Sequence, residues 1–499
     1  MGANELSFLE RAILAISPRT AATRARDRII FETLRAYEGA AKGRRVNGWK
    51  AGSTSANSEI SVSHVTLRNR ARALVRDNSY AARGIRYITN NVVGYGITTT
   101  PITGNKKTNK ALKDVWRQWA ESAQCDADGL HTIYGLQRLA MRAIAESGEV
   151  LIRLRRRKSS DGLKVPIQIQ LLEADFIDST KTGTTQGGNI LLQGKEYDKI
   201  GRLVAYWLFE NHPGDSFVVG KSFVSKRVDA EDIIHIYRVD RPGQVRGVSW
   251  LAPVIISLRD FDEYEDSQLV RQKIAACFTA FITDNENEDP SKKQETEKME
   301  PGLIYKLPHG QTVTFASPPD VQGYAEFSSV TLHKVSVGLG VPYEGLTGDW
   351  SLVNFTSGRM GKVDFYGELD DWQWLMFIPR FCEGIFSWFR DAAIIAGYPA
   401  DGATARYTPP RRQMTDPTRE IPAEIKEIRG GLKSLIQAAR ERGMDPEEFL
   451  DEIKESNQML DDRKIIVDSD PRKITSSGQA QIEPSDSIPP EDTPAKPKD

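Results

Sequence analysis

Apolar residues recur at helical spacing in the first third of the chain. The helix-compatible positions over residues 64–93 are Leu67, Leu74, Ile85 and Ile88, and arginines separate them. Asp77-Asn78-Ser79 predicts a cap and a break between two helices. Residues 108–147 predict one or two further helices, with Trp116 and Trp119 on one side. The arginine-rich face of 64–93 indicates solvent exposure or ion pairs, with direct DNA contact as the alternative.

The segment before these helices has a different amino-acid composition. Residues 1–60 contain a helix-like stretch from Asp27 to Tyr37 and an excess of arginines, which indicates a solvated arm or an arm that faces nucleic acid. The Ser/Gly/Asn-rich stretch 51–61 predicts a linker.

Short β-rich runs separated by Gly, Pro and Asp follow between residues 149 and 240. The runs are 150–154, 167–172, 189–192, 203–209, 217–219 and 233–237. This alternation predicts an antiparallel, β-rich region. The basic run Arg155-Arg156-Arg157-Lys158 precedes the turn Ser159–Gly162, which predicts an exposed hairpin tip, with nucleic-acid contact as the alternative.

Helical patterns return from Gly247. Val254, Leu258 and Phe261 form an apolar stripe, while Asp262–Lys273 is mostly polar, so this helix is expected to be half buried and half wetted. A charged run over 284–298 and strand-like stretches at 303–307 and 313–315 follow, and then a helix over Tyr324–Leu339.

The last part of the chain predicts a loop and several helices. A Gly/Ser/Asn-rich loop is expected over 343–356, and a long, aromatic-rich helix over 357–396 with a kink at Pro379. A helical zone is expected over 417–460. The Pro/Ser/Asp/Lys-rich residues from about Asp468 predict disorder.

Charge and composition narrow the function classes. The 499 residues include 67 Lys and Arg against 68 Asp and Glu, a formal net charge of -1. A near-neutral chain does not coat nucleic acid by bulk charge, because tight non-specific binding needs many uncompensated cations. Cys125, Cys277 and Cys382 are too far apart to form a disulfide framework or a zinc site, which indicates a reducing compartment. No signal peptide and no membrane span are predicted.

The candidate catalytic and ligand-binding motifs do not have the residue spacing that their functions require. Gly214–Ser222 has one residue too many for a phosphate-binding loop, and β-like sequence follows it. The histidines form no pair at metal-ligand spacing. The acidic residues over 260–266 could hold Mg²⁺, but helical spacing spreads them around the circumference. The sequence therefore predicts no catalytic residue, no metal and no cofactor.

Four ordered segments carry a resemblance to a known family. They are Arg70–Asn78 leading to Val92-Val93-Gly94; Arg246-Gly247-Val248-Ser249-Trp250-Leu251-Ala252-Pro253 leading to Phe278; Gly338-Leu339-Gly340-Val341-Pro342-Tyr343-Glu344 before Asp349 and Asn354; and Gly431–Ser434 before Arg442–Pro446. Together they span about residues 65–455. In this order they resemble the portal proteins of tailed bacteriophages, in particular the lambda-like family.

The resemblance implies an α+β portal fold with a β-rich wing, a two-helix stem, an α/β clip, a long kinked helix and a helical crown, assembled as a ring. The implied boundaries are an N-terminal arm over 1–60, a wing over 61–247, a stem helix over 248–278, a clip over 279–320, a second stem helix over 321–343, a tunnel loop over 344–356, a long kinked helix with the wing return over 357–414, a crown over 415–464 and a tail over 465–499.

It also implies a function without an active site. Such a ring, usually of twelve subunits, is the DNA channel at one capsid vertex. The implied partners are double-stranded DNA, the terminase large subunit, the major capsid and scaffold proteins and the head-tail adaptor or neck proteins, with no membrane. The implied location is the virion, after assembly in the host cytoplasm.

Candidate residues for these roles follow from the same resemblance. The tunnel-loop candidates are Asp349, Trp350, Ser351 and Asn354; Trp350 would press on the duplex or a neighbouring loop, or pack against the next subunit. The channel-lining candidates are Arg271, Lys273 and Lys334. The clip candidates for docking terminase or neck proteins are Asp284, Glu286, Lys292 and Lys293. Two alternatives stay open: a metal-dependent DNA-processing enzyme that uses the acids at 260–266, and another structural protein of the capsid or tail.

Overall fold

A computed structural model describes residues 52–217, 224–276, 280–284, 311–315, 323–414 and 416–467, together with positions 23, 470, 472, 473 and 479. The chain divides into two units, Met1–Ser55 and Ala56–Asp499. The fold described below is that of the second unit. The predicted helix Asp27–Tyr37 lies outside the described residues, as does most of the predicted tail.

The helices fall into groups before, between and after the strands. They are α1 (Ala56–Asp77), α2 (Ser79–Val92), α3 (Lys106–Ala120), α4 (Ile133–Ser147), α5 (Ile255–Ala276), α6 (Tyr324–Leu339), α7 (Tyr343–Thr347), α8 (Phe355–Asp370), a π-helical segment (Asp371–Cys382), α9 (Glu383–Ile395), α10 (Pro417–Arg429), α11 (Leu435–Glu441) and α12 (Pro446–Asp462). Short 3-10 turns lie at Ala123–Cys125, Ser159–Asp161, Ala174–Phe176 and Ala230–Asp232.

All strand pairs are antiparallel. The strands are β1 (Thr98–Ile102), β2 (Glu149–Arg156), β3 (Ile167–Glu173), β4 (Gly183–Thr184), β5 (Ile190–Leu192), β6 (Lys195–Tyr197), β7 (Leu203–Leu208), β8 (Lys226–Asp229), β9 (Ile233–Tyr237), β10 (Ala280–Asp284), β11 (Gln311–Phe315) and β12 (Thr404–Thr408). They form a three-stranded sheet in the order β3-β2-β9, a meander β4-β5-β6-β7-β8, and the pairs β1-β12 and β10-β11.

The central sheet separates two cores, because alternate residues of a strand point to opposite faces. On one face of β2, Val150 and Ile152 pack with the main core, which includes the helices and the aromatic residues of the π segment and α9. On the other face, Leu151 packs with Leu172 and Tyr206 in a smaller core against the meander. The predicted antiparallel, β-rich region is therefore confirmed.

Local signals predict the helix boundaries well in several places. Asn78 ends α1 and caps α2, because its side-chain oxygen accepts a hydrogen bond from the Ala81 backbone nitrogen at 2.7 Å. Trp116 and Trp119 lie on one side of α3 and stack against Phe389, with ring centroids 4.8 and 5.4 Å away. The break at Asn78 and the buried tryptophan side are thus confirmed.

Other boundaries differ from the expectation. The predicted linker 51–61 is wrong from Ala56 onward, where α1 begins, since Ala56 and Ile60 are buried. Phe217 is an exposed bend residue rather than a strand residue, and positions 218 and 219 of that predicted run lie outside the described residues. Pro379 lies inside the π-helical segment, where the long helix departs from α geometry. Among the described residues, no helix combines the length and apolar character needed to cross a bilayer.

Candidate functional site

The α5–α6 helix pair is the first candidate surface. The start of α5 meets the end of α6, because a Cβ on Gly338 would lie 2.3 Å from a Val254 methyl group. Further along, Tyr264 of α5 contacts Phe327 near the start of α6, with ring centroids 4.4 Å apart. The two helices therefore run antiparallel. Leu258 and Phe261 are buried, whereas Leu269 is exposed, so the predicted half-buried, half-wetted character of α5 is confirmed.

The predicted channel-lining cations occupy this pair. Arg271 and Lys273 lie near the end of α5, and Lys334 lies on α6. Residues that are two positions apart on an α-helix differ by about 200° around its axis, so Arg271 and Lys273 project to opposite sides. At most one of these two faces a channel in any ring, and the assignment stays a prediction.

Three of the five acidic residues over 260–266 of α5 have separate partners. Asp262 accepts a hydrogen bond from Asn78 Nδ2 at 2.6 Å, and burial raises its pKa. Glu263 pairs with Arg259 at 3.0 Å, and Glu265 accepts a hydrogen bond from the Tyr324 hydroxyl at 3.1 Å. These contacts favour structural roles for the three carboxylates.

A different group with possible cation ligands was missed by sequence reasoning. Ligand atoms of Glu173, Asp175 and His212 lie within 4.8 Å of one another. Arg72 already pairs with both carboxylates, at 3.0 Å from Glu173 and 2.9 Å from Asp175. Arg68 adds a second guanidinium at 3.0 Å from Asp175. This cluster is therefore neutralised by arginine and is built as an ion-pair network.

The segment between α6 and α8 is the second candidate surface, and it is shorter than predicted. Residues Tyr343–Thr347 form α7, so the expected loop start at residue 344 is wrong. Gly345 is buried against the ring of Tyr87, and its carbonyl accepts a hydrogen bond from Arg83 Nε at 3.0 Å. Only residues 348–354 form a loop, because the contacts of α7 with α2 hold the first turn in place.

Hydrogen bonds close both ends of this loop. Asp349 accepts a bond from the Ser351 backbone nitrogen at 3.0 Å, and hydrogen bonding by Ser351 lowers the pKa of Asp349. Asn354 caps α8, since its side-chain oxygen accepts from the Ser357 nitrogen at 2.8 Å while the Ser357 hydroxyl accepts from the Asn354 nitrogen at 3.1 Å. Between these ends, Trp350 is 54% exposed and Leu352 is 95% exposed. The loop thus presents apolar side chains on a fixed base.

A buried ionic cluster anchors the region from which α5 departs. Glu149, at the start of β2, and Arg246, shortly before α5, are 0% and 1% exposed in their side chains. Glu149 accepts hydrogen bonds from Arg246 Nε at 3.0 Å and from the Gly247 nitrogen at 2.8 Å. His235 Nε2 lies 3.0 Å from the same carboxylate, and Arg68 of α1 lies 3.8 Å away. The cluster therefore joins α1, β2, β9 and the approach to α5.

Burial and charge set the protonation of this cluster. Burial opposes ionisation of Glu149, but Arg246 and the hydrogen bond from His235 outweigh it and hold the pKa of Glu149 well below its usual value. Burial and the charge of Lys195 lower the pKa of His235 to about 3, so its imidazole is neutral. A carboxylate only accepts hydrogen bonds, so His235 carries its proton on Nε2.

The arginine-rich face of 64–93 is largely used inside the subunit. Arg68 and Arg72 pair with the acids of β2, β3 and the following turn, and Arg83 binds the Gly345 carbonyl. These contacts favour the ion-pair interpretation for Arg68 and Arg72, and they show that Arg83 is used in a hydrogen bond within the subunit.

The predicted clip and crown differ in how much of them is described. Asp284 belongs to β10, which pairs with β11, whereas Glu286, Lys292 and Lys293 lie outside the described residues. The helices expected over 417–460 are present as α10, α11 and α12. Asp445 ties them to the rest of the subunit through Lys113 at 2.9 Å and Thr100 at 3.0 Å. Within the described chain, α10 and α12 bury no residue, which leaves their faces open.

Comparison with known proteins places these features in context. The family model described as "Phage portal protein, lambda family" matches residues 42–373. The "Probable portal protein" of Halomonas phage phiHAP-1 is 24% identical over 91% of this chain and 92% of its own length. The "Portal protein" of Escherichia phage N15 is 21% identical, over 83% and 88%. "Portal protein B" of Escherichia phage lambda is 20% identical, over 84% and 88%.

Solved structures with similarity include assembled particles. The neck of a native gene transfer agent particle, computed with C12 symmetry, has a TM-score of 0.45 and 15% identity, and the match covers 74% of this chain and 92% of that one. An HK97-family phage portal protein from Corynebacterium diphtheriae has a TM-score of 0.32 and 10% identity, over 70% and 95%.

Proposed function

The chain belongs to the lambda family of phage portal proteins, and from this premise we propose that copies of it close into a ring, with twelve as the expected number, around a channel for double-stranded DNA. The observation that carries the proposal is the family match over residues 42–373, extended by relatives aligned over about nine-tenths of both chains. In this arrangement α5 and α6 form the stem, and the loop 348–354 faces the channel.

The electrostatics of the subunit suit passage of DNA without tight binding. Each phosphate that a fixed cation neutralises releases counterions and strengthens the complex. The formal net charge is -1, and residues 345–358 contain no Lys and no Arg before Arg359. The exposed Trp350 and Leu352 supply apolar contact instead, either to the duplex or to the next subunit.

The ring would act as a conduit and a docking platform rather than as an enzyme. Three acids of α5, Asp262, Glu263 and Glu265, are engaged by Asn78, Arg259 and Tyr324, which supports structural roles for them over metal binding. The proposed partners are the terminase large subunit and neck proteins at the clip, and the major capsid and scaffold proteins around the wing. The proposed location is the portal vertex of the virion, reached after assembly in the host cytoplasm.

A loop replacement tests the placement of the channel surface. Residues 349–353 are replaced by a short glycine linker, so that α7 and the Asn354 cap of α8 are kept. The expected result is a normal ring by negative-stain microscopy and native mass measurement, with impaired DNA packaging or retention. The matched control replaces the exposed turn at Ile200, between β6 and β7, and should leave both properties unchanged.

Two results would contradict the proposal. Loss of the ring in the loop variant, with the control intact, would show that residues 349–353 belong to the subunit interface instead of the channel. Cleavage of duplex DNA or ATP turnover by the purified protein with Mg²⁺ would show an enzyme.

A further inference from the structure

The hairpin β2–β3 carries a row of arginines on one face. Arg153, Arg155 and Arg157 alternate along the strand, so their side chains share a face, while Arg156 lies on the other. Arg156 pairs with Asp232 at 2.6 Å. Among the described residues, no carboxylate lies within ion-pair distance of the three arginines of the row.

Neutral glutamines position this row. Arg155 Nε donates to Gln170 Oε1 at 2.8 Å, and Arg157 Nε donates to Gln168 Oε1 at 2.7 Å. The Gln168 amide is itself fixed, because its nitrogen donates to the carbonyls of Gln124 and Asp126 at 3.1 and 2.9 Å. An amide oxygen orients a guanidinium without cancelling its charge. None of the three charges is therefore cancelled by a direct ion pair, although Asp232 and Asp128 act on Arg153 and Arg155 from a greater distance and raise their pKa values against the larger effect of burial. Two of the three side chains are held in place by the glutamines.

The arginines of the row are close enough to repel one another electrostatically. Burial lowers the pKa of Arg155, and the charges of Arg153 and Arg157 lower it further. Burial also lowers the pKa of Arg153, which is half buried in the middle of the strand. Groups of like charge held together in this way are stabilised by an anion that binds all of them.

An open cavity of about 300 Å³ adjoins the row. Arg153 and Arg155 line one side, and Leu172, Phe176 and Phe209 provide an apolar wall. Of the two acids at its rim, Glu210 pairs with Lys226 at 2.9 Å, whereas Asp215 accepts from the Phe217 backbone nitrogen at 2.8 Å and keeps its charge. The cavity thus combines guanidinium donors with an apolar surface.

We propose that this surface, formed by Arg153, Arg155, Arg157 and the adjoining cavity, binds an extended acidic segment of a partner protein. Alternate side chains of an extended peptide repeat at about 6.8 Å, which is the spacing of alternate arginines on the strand. Carboxylates of such a segment reach the guanidinium groups, and an apolar side chain enters the cavity against Phe176 and Phe209. A rigid duplex presents phosphates on a convex surface and fills no cavity of this size, which favours the peptide over DNA.

The test uses the full-length protein and defined probes. Fluorescence anisotropy measures binding of a labelled peptide of alternating Glu and Val at physiological ionic strength. The same peptide with Gln in place of Glu, a single-stranded DNA and a duplex DNA serve as comparison probes. The variants are Arg153→Gln/Arg155→Gln and the matched control Arg156→Gln, which removes a charge from the opposite face of the same strand. Thermal denaturation of each variant checks that the fold is kept.

The expected result is saturable binding of the Glu peptide alone. The double variant should bind it at least about tenfold more weakly, a loss of about 1.4 kcal/mol, because it removes two guanidinium groups that hydrogen-bond to carboxylates. The control should stay within about twofold of the unaltered protein, as for an exposed ion pair. Equal weakening by both variants, absence of saturable peptide binding, or preference for either DNA probe would overturn the proposal.

Discussion

Replacement of Glu149 by Gln is expected to be the most informative single perturbation of the subunit. The change is nearly isosteric, and it removes one negative charge from a site where the carboxylate is wholly buried. It leaves Arg246 and Arg68 buried without their shared counter-ion. The introduced amide keeps one oxygen that can accept from Arg246, but it carries no charge and it adds an NH2 donor among groups that themselves donate. The other acceptors of Arg246, the carbonyls of Gln193 and Ala174 at 3.4 and 3.5 Å, are also neutral.

The expected loss of stability follows from the burial of this ion pair. Breaking a buried ion pair by removing one partner costs about 3–5 kcal/mol, because the other charge stays in a medium that cannot solvate it. The comparison is Glu173→Gln, which also takes a carboxylate from an arginine but at a position that is 55% exposed. An exposed pair contributes about 0–1 kcal/mol. The two substitutions therefore share their chemistry and differ in burial.

Chemical denaturation at neutral pH, followed by tryptophan fluorescence, measures both variants. The subunit is kept at a concentration below that at which it assembles, because association would add its own stability. The free energy of unfolding should fall by about 4 kcal/mol for Glu149→Gln. For Glu173→Gln, it should fall by less than about 1 kcal/mol. Equal losses would refute the reasoning, since they would show that the cluster does not depend on an ionised carboxylate.

Acid provides a second check on the same site. The pKa of Glu149 is lowered in the folded state, so the stability it contributes is present above the unfolded pKa near 4.5 and is lost as the pH falls through the lower folded value. The difference in unfolding free energy between the unaltered protein and Glu149→Gln should narrow as the pH falls below about 4. A difference that does not change with acid would contradict ionisation as its cause.

Three further predictions concern other parts of the subunit. Burial, with the charges of nearby arginines, lowers the pKa of Lys195 to about 7 in the folded state. Between about pH 7 and 10.5 the unfolded chain therefore binds more protons than the folded one, so the free energy of unfolding should rise with pH across this window. Lys195→Met should abolish that rise, which denaturation midpoints measured at several pH values would show. An unchanged slope would contradict this. Gly345→Ala would bring a Cβ within 2.5 Å of the Tyr87 ring and should lower the free energy of unfolding by about 1–3 kcal/mol. Gly361→Ala places its Cβ in open space on α8 and should raise the free energy of unfolding by about 0.5–1 kcal/mol. Thermal denaturation of both variants distinguishes a steric conflict from a general effect of alanine. Asn354→Ala removes the α8 cap and should cost about 1 kcal/mol while speeding proteolysis of the adjacent loop, and unchanged cleavage would show that the cap does not hold the loop.

Much of the helical fold is predictable because its signals are local. Asn78 lies between α1 and α2, and its capping side chain predicts both the end of α1 and the beginning of α2. Pairing between distant segments leaves no such signal: β1 pairs with β12 from Ile102↔Thr404 to Thr98↔Thr408, more than 300 positions apart in the chain, and β1 (Thr-Thr-Thr-Pro-Ile) does not alternate polar and apolar residues. α7 escapes prediction for a related reason, since a short Gly-containing helix depends on tertiary contacts such as that of Gly345 with Tyr87.

The candidate site divides in the same way. Sequence reasoning places the exposed loop residues 349–353 correctly, because Gly, Asp and Ser in succession are typical of turns. It does not find the Glu149–Arg246 pair, since single charged residues 97 positions apart look like ordinary solvated side chains. The face of α5 that carries Arg271 or Lys273 depends on a neighbouring subunit, and a single chain contains no information on that choice.

Two of the four segments that carry the family resemblance lie where the α5–α6 pair joins the rest of the subunit. Gly247 approaches Gly148 so closely that a Cβ on it would lie 2.1 Å from the Gly148 carbonyl oxygen, directly beside the Glu149 cluster. At the same end of the pair, a Cβ on Gly338 would collide with Val254. Both contacts fix backbone positions, so they set the direction in which each subunit projects its two helices. A ring of identical subunits requires that direction to be the same in every copy, whereas the side chains along the projecting halves can differ as long as they do not hold DNA tightly. In the proposed ring, substitutions at these glycines should therefore disturb assembly before they disturb any contact with DNA.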